Sequence, residues 1–400
     1  MKILHVIPSM NPSEGGVSQA VRTIVKGLIE NGVQNEVVTF DDPGALYLCN
    51  DPFIIYALGK KRGPWCYNSS FYPWLLTNLG DFNVVIVHAL WSYPGYAIQK
   101  AMKKLAGRTY GKELPKLFVM PHGMLDPYFQ RAPERKLKAL RNYIYWELVE
   151  KKLINAADGI LFTCEAEATL AKEPFWGYKP KKDIVIGMGI TPPPPFKSEM
   201  KAAFMEKCPG LENEPYLLFL SRIDEKKGVD LLLNAYLDAL KKTAGTGISL
   251  PRLVIAGPGI ETHYGFRMQQ LILENPELRN AVFLPGMLSG DAKWGAFYGC
   301  EAFILPSHQE NFGIAVVEAM ACGRAVLISD QVNIWEKISL GGGCYVAGDT
   351  LDGTCGLLDY WQKTSYSHKA AMGKNAYSSF KRWFSASTAA NQLLRAIQES

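Results

Sequence analysis

The sequence predicts an α/β protein built from two Rossmann-like domains in series. Three observations carry this. The chain has 400 residues and is 48% apolar, enough to supply two cores. Two separate runs of alternating strand and helix patterns follow one another, and a proline run from Thr191 to Phe196 divides them. With only 20% charged and fully 12% aromatic residues, a disordered chain is excluded.

Ile3 to Pro8 reads as the first strand. Gly15-Gly16 then precedes a helical pattern whose apolar stripe is Val17, Ala20, Val21, Ile24, Val25 and Leu28, stopped by Asn31-Gly32 and followed by a strand from Glu36 to Phe40, which makes a βαβ unit. Apolar runs at Val84 to Val87, Leu117 to Met120, Ile160 to Thr163 and Ile184 to Ile186 extend the same sheet. Four prolines in a row remove backbone donors and stiffen the chain, so 191–196 is the expected linker between a first domain at 1–190 and a second at 197–380. The second domain places strands at Tyr216 to Leu220, Leu253 to Ala256, Ala281 to Leu284, Ala302 to Leu305 and Ala325 to Ile328. A last helical pattern, Ser385 to Gln398, lies beyond them, and the segment 381–400 is expected to pack back on the first domain.

Net charge is +5, and residues 1 to 195 hold 23 Lys and Arg against 17 Asp and Glu. The basic excess therefore sits in the first half and suggests an anionic partner there. Much of it falls in 131–152, where Arg131, Arg135, Lys136, Lys138, Arg141, Lys151 and Lys152 interleave with Tyr143, Tyr145 and Trp146. Such a stretch suits either an anionic membrane surface or a solvated helix face. A nucleic-acid partner is not expected. No secretory leader is visible at the start and no apolar run approaches the roughly 18 residues of a membrane span, so a cytoplasmic protein, peripheral at most to the inner face of the plasma membrane, is expected. Eight scattered cysteines without C-x-x-C or metal-ligand spacing read as reduced thiols, and no metal site is expected.

In open α/β sheets ligands bind at the carboxyl ends of the strands, which singles out the polar residues after each strand run. In the first domain these are Gly15-Gly16, His88 and His122-Gly123; in the second, Arg222 and Lys227, Gly257-Pro258-Gly259, and Glu310 to Glu318. Two glycines at a helix start let a diphosphate approach free amides, although a turn explains them equally well, and the G-x-G-x-x-G spacing of dinucleotide sites is absent. Arg222 and Lys227 offer a fork and a point charge suited to a diphosphate. Glu318 falls inside a short, nearly all-apolar helical run from Gly313 to Gly323, where a carboxylate needs partners such as ribose hydroxyls or a basic neighbour.

These residues together resemble the family 4 retaining glycosyltransferases of GT-B fold. The likeness covers almost the whole chain: the glycine pair, Pro121-His122-Gly123-Met124-Leu125, Ser221-Arg222 with Lys227-Gly228, Ala256-Gly257-Pro258-Gly259, and Glu310 with Glu318 eight residues further on, Phe312-Gly313 between them. It is closest in kind to the branch that assembles bacterial exopolysaccharide, including the heterocyst-envelope enzymes of cyanobacteria.

The resemblance implies two Rossmann-like domains facing across a cleft, with the C-terminal helix crossing back to the first. It implies a UDP-sugar donor, UDP-glucose or a related hexose, a saccharide or lipid-linked acceptor, and no metal or other cofactor; the sequence has no D-x-D motif. Carried over by position, Arg222 and Lys227 would clamp the donor diphosphate and Glu318 the ribose. Glu310, with the backbone from Asn311 through Phe312 and Gly313 to Ile314, would hold the donor sugar, and His122 would sit at its reacting face. Gly15, Gly16 and Gly257 would approach phosphate or acceptor, and Met287-Leu288 would border the base. His88, Trp91 and Asp126 are the acceptor-side candidates. Competing readings are a GT-B nucleotide-sugar epimerase, a non-catalytic nucleotide-sugar-binding scaffold, and a nicotinamide dehydrogenase, the last disfavoured by the missing fingerprint. Oligomeric state is not legible.

Overall fold

A computed structural model of the chain describes residues 1–107, 113–132, 135–212 and 214–400. Two compact units emerge: Met1–Thr191 together with Ser385–Ser400, and Pro192–Phe384.

In the first unit, seven parallel strands form one sheet. They are β1 (Lys2–Val6), β2 (Gln34–Thr39), β3 (Ile54–Ala57), β4 (Val84–His88), β5 (Lys116–Met120), β6 (Gly159–Phe162) and β7 (Asp183–Val185), in the order β3-β2-β1-β4-β5-β6-β7. Every residue of β4 is buried, as expected of a strand covered by helices on both faces. The helix Gly16–Glu30 buries Ala20, Val21, Ile24, Val25 and Leu28, the stripe its sequence spacing marks.

The helix Ala386–Gln398 belongs to this unit. It buries Ala390, Leu393, Ala396 and Ile397 against Ile3, Ile24, Leu28 and Phe118, each leucine or isoleucine contributing about 2 kcal/mol of apolar burial. Gly27 permits the close approach: a Cβ there would lie 2.9 Å from the Ala386 carbonyl oxygen and 3.0 Å from Ala390 Cβ.

The second unit holds six parallel strands: β8 (Tyr216–Leu220), β9 (Arg252–Ala256), β10 (Val282–Gly286), β11 (Ala302–Leu305), β12 (Ala325–Ser329) and β13 (Cys344–Ala347), in the order β10-β9-β8-β11-β12-β13. This is the GT-B pair of Rossmann-like folds. Strand order reverses between β1 and β4 in one sheet and between β8 and β11 in the other, and each reversal opens a crevice beyond the strand ends.

Two strands escape the sequence pattern, β3 and β13. Both are sheet edges with only partial burial, so neither carries a long apolar run. Pro285 lies inside β10, where an edge strand tolerates the lost donor.

Candidate active site

The loops after β1 and β4 border a cavity of about 230 Å³ whose lining includes Ser9, Gly15, Lys61, Ala89 and Trp91. Gly15 has φ +119° with open space where a Cβ would stand, and it caps the 15-residue helix Gly16–Glu30. Free amides of that first turn therefore point outward with the positive end of the helix dipole.

Backbone strain gathers here. Cys66, Ala89 and Trp91 line the cavity with φ of 56°, 70° and 63°, and His122 after β5 has φ 53°. Each costs about 1–3 kcal/mol for a residue with a side chain, so the surroundings must impose it. Glu150 does so for Trp91, accepting its backbone N–H at 2.7 Å. Burial pushes the Glu150 carboxyl up to about 8 although the Trp91 amide pulls the other way, so the group is a neutral acid at ordinary pH. Glu167 acts likewise on the His122 loop. Its carboxylate accepts the Gly123 N–H at 2.6 Å and the Thr163 N–H at 2.8 Å.

Three histidines cross this end of the sheet. His5 Nδ1 meets His88 Nε2 at 3.0 Å, His88 Nδ1 meets His122 Nε2 at 3.0 Å, and His5 Nε2 meets Asn35 Oδ1 at 3.0 Å. Burial lowers all three, taking His5 and His122 to about 4. They are neutral rings.

In the second unit the reversal between β8 and β11 brings together the loops Ser221–Gly228 and Pro306–Gly313. The His308 N–H donates to the Lys226 carbonyl at 2.9 Å, and a Cβ on Gly228 would lie 2.1 Å from the Pro306 carbonyl oxygen; only glycine allows the approach. Across this seam the Lys227 ammonium pairs with the Glu310 carboxylate. Burial alone would raise the Glu310 carboxyl, but Lys227, Lys226 and the Gly313 N–H outweigh it and hold it below the usual carboxylate range. Gly257, φ +146°, lies against the same loop: its Cβ would fall 1.8 Å from the Ser221 carbonyl oxygen.

Arg222 is exposed. Among the described residues its guanidinium has no hydrogen-bond or ion-pair partner, so a cation stands unneutralised on the loop that also carries Lys227. Glu318, in the helix Ile314–Ala321, pairs with Lys293 at 2.6 Å; burial nevertheless keeps its carboxyl above the usual value.

Comparison with known proteins gives this geometry a family. Residues 14–192 match the model described as Glycosyltransferase Family 4, and residues 201–376 the model described as Glycosyl transferases group 1. Each of the two units thus matches a glycosyltransferase family model. Among relatives, an uncharacterized glycosyltransferase of Methanocaldococcus jannaschii is 29% identical over 140 residues, 35% of this chain and 33% of that protein. An uncharacterized 41.2 kDa protein of the cps region of Klebsiella pneumoniae is 23% identical over 85% of this chain and 84% of its own. The chain spans only about a third of the length of the first of these. Among solved structures, the Anabaena protein HepE in complex with UDP and glucose superposes with a TM-score of 0.74 at 17% identity, covering 100% of both chains, a likeness of fold.

Of the residues expected at the donor, Arg222, Lys227 and Glu310 to Gly313 fall on the two switch-point loops of the second unit, Gly15 and Gly16 lie in the first unit, and two differences from the roles the resemblance implies stand out. Lys227 and Glu310, expected to hold different parts of a donor, hold each other, and Glu318 has a basic partner in Lys293. Phe312 is buried and packs edge-on against Phe384, leaving Gly313, φ 74°, to open the helix start. Ile314 begins that helix, and Asn311 accepts from the Asn333 amide. Met287 is exposed and Leu288 buried.

Of the three acceptor-side candidates, Trp91 lines the cavity of the first unit. His88 has both ring nitrogens taken by histidines and is 1% exposed, so it presents neither to a saccharide, which corrects the acceptor-side expectation. Asp126 is buried, and its Oδ1 accepts the Tyr128 N–H at 2.8 Å; it shapes a turn. Sequence reasoning missed His5, Asn35, Glu150, Glu167 and Lys293. The available signal was a polar residue inside an apolar run, as His5 is between Leu4 and Val6.

Proposed function

We propose that the chain is a retaining, metal-independent hexosyltransferase that moves a sugar from a UDP-sugar to a saccharide or lipid-linked acceptor in the assembly of a bacterial exopolysaccharide. The observation that carries this reading is Arg222, exposed and, among the described residues, unpartnered on the same β8–β11 switch-point loop as the Lys227 that pairs with Glu310. Breaking the bond from the anomeric carbon to phosphate leaves negative charge on the diphosphate. An exposed guanidinium, an ammonium and the amides at the helix start Gly313 meet that charge, each able to supply a few kcal/mol. In return Glu310, released from Lys227, faces the sugar. The acceptor oxygen attacks from the side the phosphate leaves, the departing phosphate oxygen takes the acceptor proton, and the anomeric configuration is kept. The cps-region relative and the complex of HepE with UDP and glucose support the polysaccharide setting and the uridine donor.

The acceptor is expected at the cavity of the first unit, where Trp91 offers an aromatic wall. A membrane face suits the segment 131–152, of which 133 and 134 lie outside the described residues. Leu137, Leu140, Ile144 and Leu148 are all more than half exposed, spaced along one side of the helix Lys136–Tyr145 and its continuation, among exposed Lys136, Lys138, Arg141 and Lys152. An apolar stripe edged by cations is the pattern of a helix lying in an anionic interface. No helix among the described residues is long and apolar enough to cross a membrane. Contact is therefore peripheral, on the cytoplasmic face.

Nucleotide release from a panel of UDP-, GDP- and ADP-sugars tests the reading. Release from a UDP-hexose, lost in Arg222→Ala, is expected; release from none of them, with and without lipid-linked saccharide, would reject it. Co-sedimentation with vesicles of anionic lipid is expected to fall in Leu137→Glu/Leu140→Glu, and equal recovery of both proteins in the supernatant would remove the membrane contact.

A further inference from the structure

Asn35, His5, His88 and His122 stand on β2, β1, β4 and the loop after β5, which are successive neighbours in the sheet. Their side chains form one unbroken line of hydrogen bonds, each at 3.0 Å. Asn35, His5 and His88 are 4%, 0% and 1% exposed, so no water competes along most of its length. A neutral imidazole carries one donor and one acceptor nitrogen. A line of such rings consequently has a single polarity: whichever way one end points, every ring follows.

The Asn35 end is fixed. Its Nδ2 donates to the Val33 carbonyl at 2.9 Å, and a carbonyl oxygen can only accept. The Asn35 Oδ1 therefore faces His5 and must accept there, which places the His5 proton on Nε2 and leaves Nδ1 bare. Bare Nδ1 accepts from His88 Nε2–H, and bare His88 Nδ1 accepts from His122 Nε2–H. Turning the amide over would set two carbonyl oxygens against each other and leave the buried Asn35 oxygen without a donor, at a cost of about 1–3 kcal/mol for each unsatisfied group.

At the far end the consequence becomes chemical. His122 Nδ1 is left without a proton, and among the described residues it has no partner. His122 itself is partly exposed and sits in a strained left-handed turn, φ 53°, held through Gly123 by Glu167.

We propose that Asn35, His5 and His88 are positioning residues that set the tautomer of His122, so that its Nδ1 meets ligand as a hydrogen-bond acceptor and never as a donor. The ligand group it selects is then a hydroxyl, which donates, and a carbonyl or phosphate oxygen at that position is disfavoured. Identifying that hydroxyl as a sugar's rests on the proposed function; the polarity of the line does not.

The test is a long-range proton–nitrogen correlation spectrum of the full chain labelled with 15N in its imidazole rings, at neutral pH and without ligand. The chain has six histidines, and His263, His308 and His368 serve as internal references. Wild type is expected to show His5, His88 and His122 as the Nε2–H tautomer alone. Asn35→Ala is expected to leave His122 as a mixture of tautomers with the reference rings unmoved. His5→Phe, which keeps a ring in the core and interrupts the line, is expected to do the same and answers the question if Asn35→Ala folds poorly. In turnover, each variant is expected to lower kcat by about tenfold to a hundredfold, with little added loss when combined with His122→Ala. A proton on His122 Nδ1 in wild type, or a His122 tautomer unchanged in both variants, would overturn the proposal. The spectrum is read without substrate, so a silent donor panel bears on the reaction and leaves this result standing.

Discussion

Two carboxyls, Glu150 buried in the first unit and Glu310 partly buried in the second, face opposite fates. Glu150 has a backbone N–H and, among the described residues, no cation, and burial carries it up to about 8. Glu310 is paired with the ammonium of Lys227, which holds it charged. The same contrast runs through both regions. In the crevice of the first unit three imidazoles and the neutral Glu150 acid fix geometry and tautomer through hydrogen bonds, beside the Glu167 carboxyl and the Lys61–Glu14 pair. The crevice of the second is ordered by charges in compensating pairs, with Arg222 left over. A neutral network suits the recognition of hydroxyls, and an unneutralised cation suits a diphosphate.

The largest effects should fall on the charged side. Lys227→Ala leaves the partly buried Glu310 without its cation, and unfolding by urea should show a loss of about 2 kcal/mol alongside a fall in nucleotide release of about a hundredfold or more. Arg222→Ala should lose turnover on a similar scale while the melting temperature stays put, because nothing in the fold leans on that guanidinium. If instead Arg222→Ala melted early and turned over normally, the division between paired and free cations would be wrong.

Next comes the neutral side, through Glu150. A carboxyl whose value is raised on folding stabilises below its unfolded value and loses that contribution as pH rises through about 8. Glu150→Gln should therefore gain on wild type as pH is taken from 6 to 9, by an amount on the order of a few kcal/mol. Parallel stability curves for the two proteins across that range would show Glu150 to be charged throughout, and the contrast with Glu310 would vanish. The smallest effect is expected at Lys293→Ala. That pair is partly open to water, with side chains 24% and 12% exposed, and about 1 kcal/mol of stability is the expected loss.

Much of the fold was legible because its central strands are mostly apolar. Tyr216–Leu220 and Ala302–Leu305 sit where the pattern puts them, while β3 and β13, half covered at the sheet edges, left no pattern to read. Residues on the switch-point loops, Gly15, Arg222, Lys227 and Glu310, were legible for a topological reason: they follow strands, and strands in these sheets end at the crevice. The groups that orient them were not. His5 and His88 lie 83 residues apart and Lys293 and Glu318 lie 25 apart, inside elements whose periodicity announces only strand or helix. Sequence spacing carries no trace of such pairings, which exist only once parallel strands set His5, His88 and His122 side by side.

The claim on which the account turns is that the second unit receives a nucleoside diphosphate on Arg222. Calorimetric titration of UDP into wild type and Arg222→Ala, both checked for equal melting temperature, tests it most directly. The account predicts binding to wild type and an affinity lower by tenfold or more, about 1.4 kcal/mol, in the variant. Equal affinity in the two proteins would contradict it.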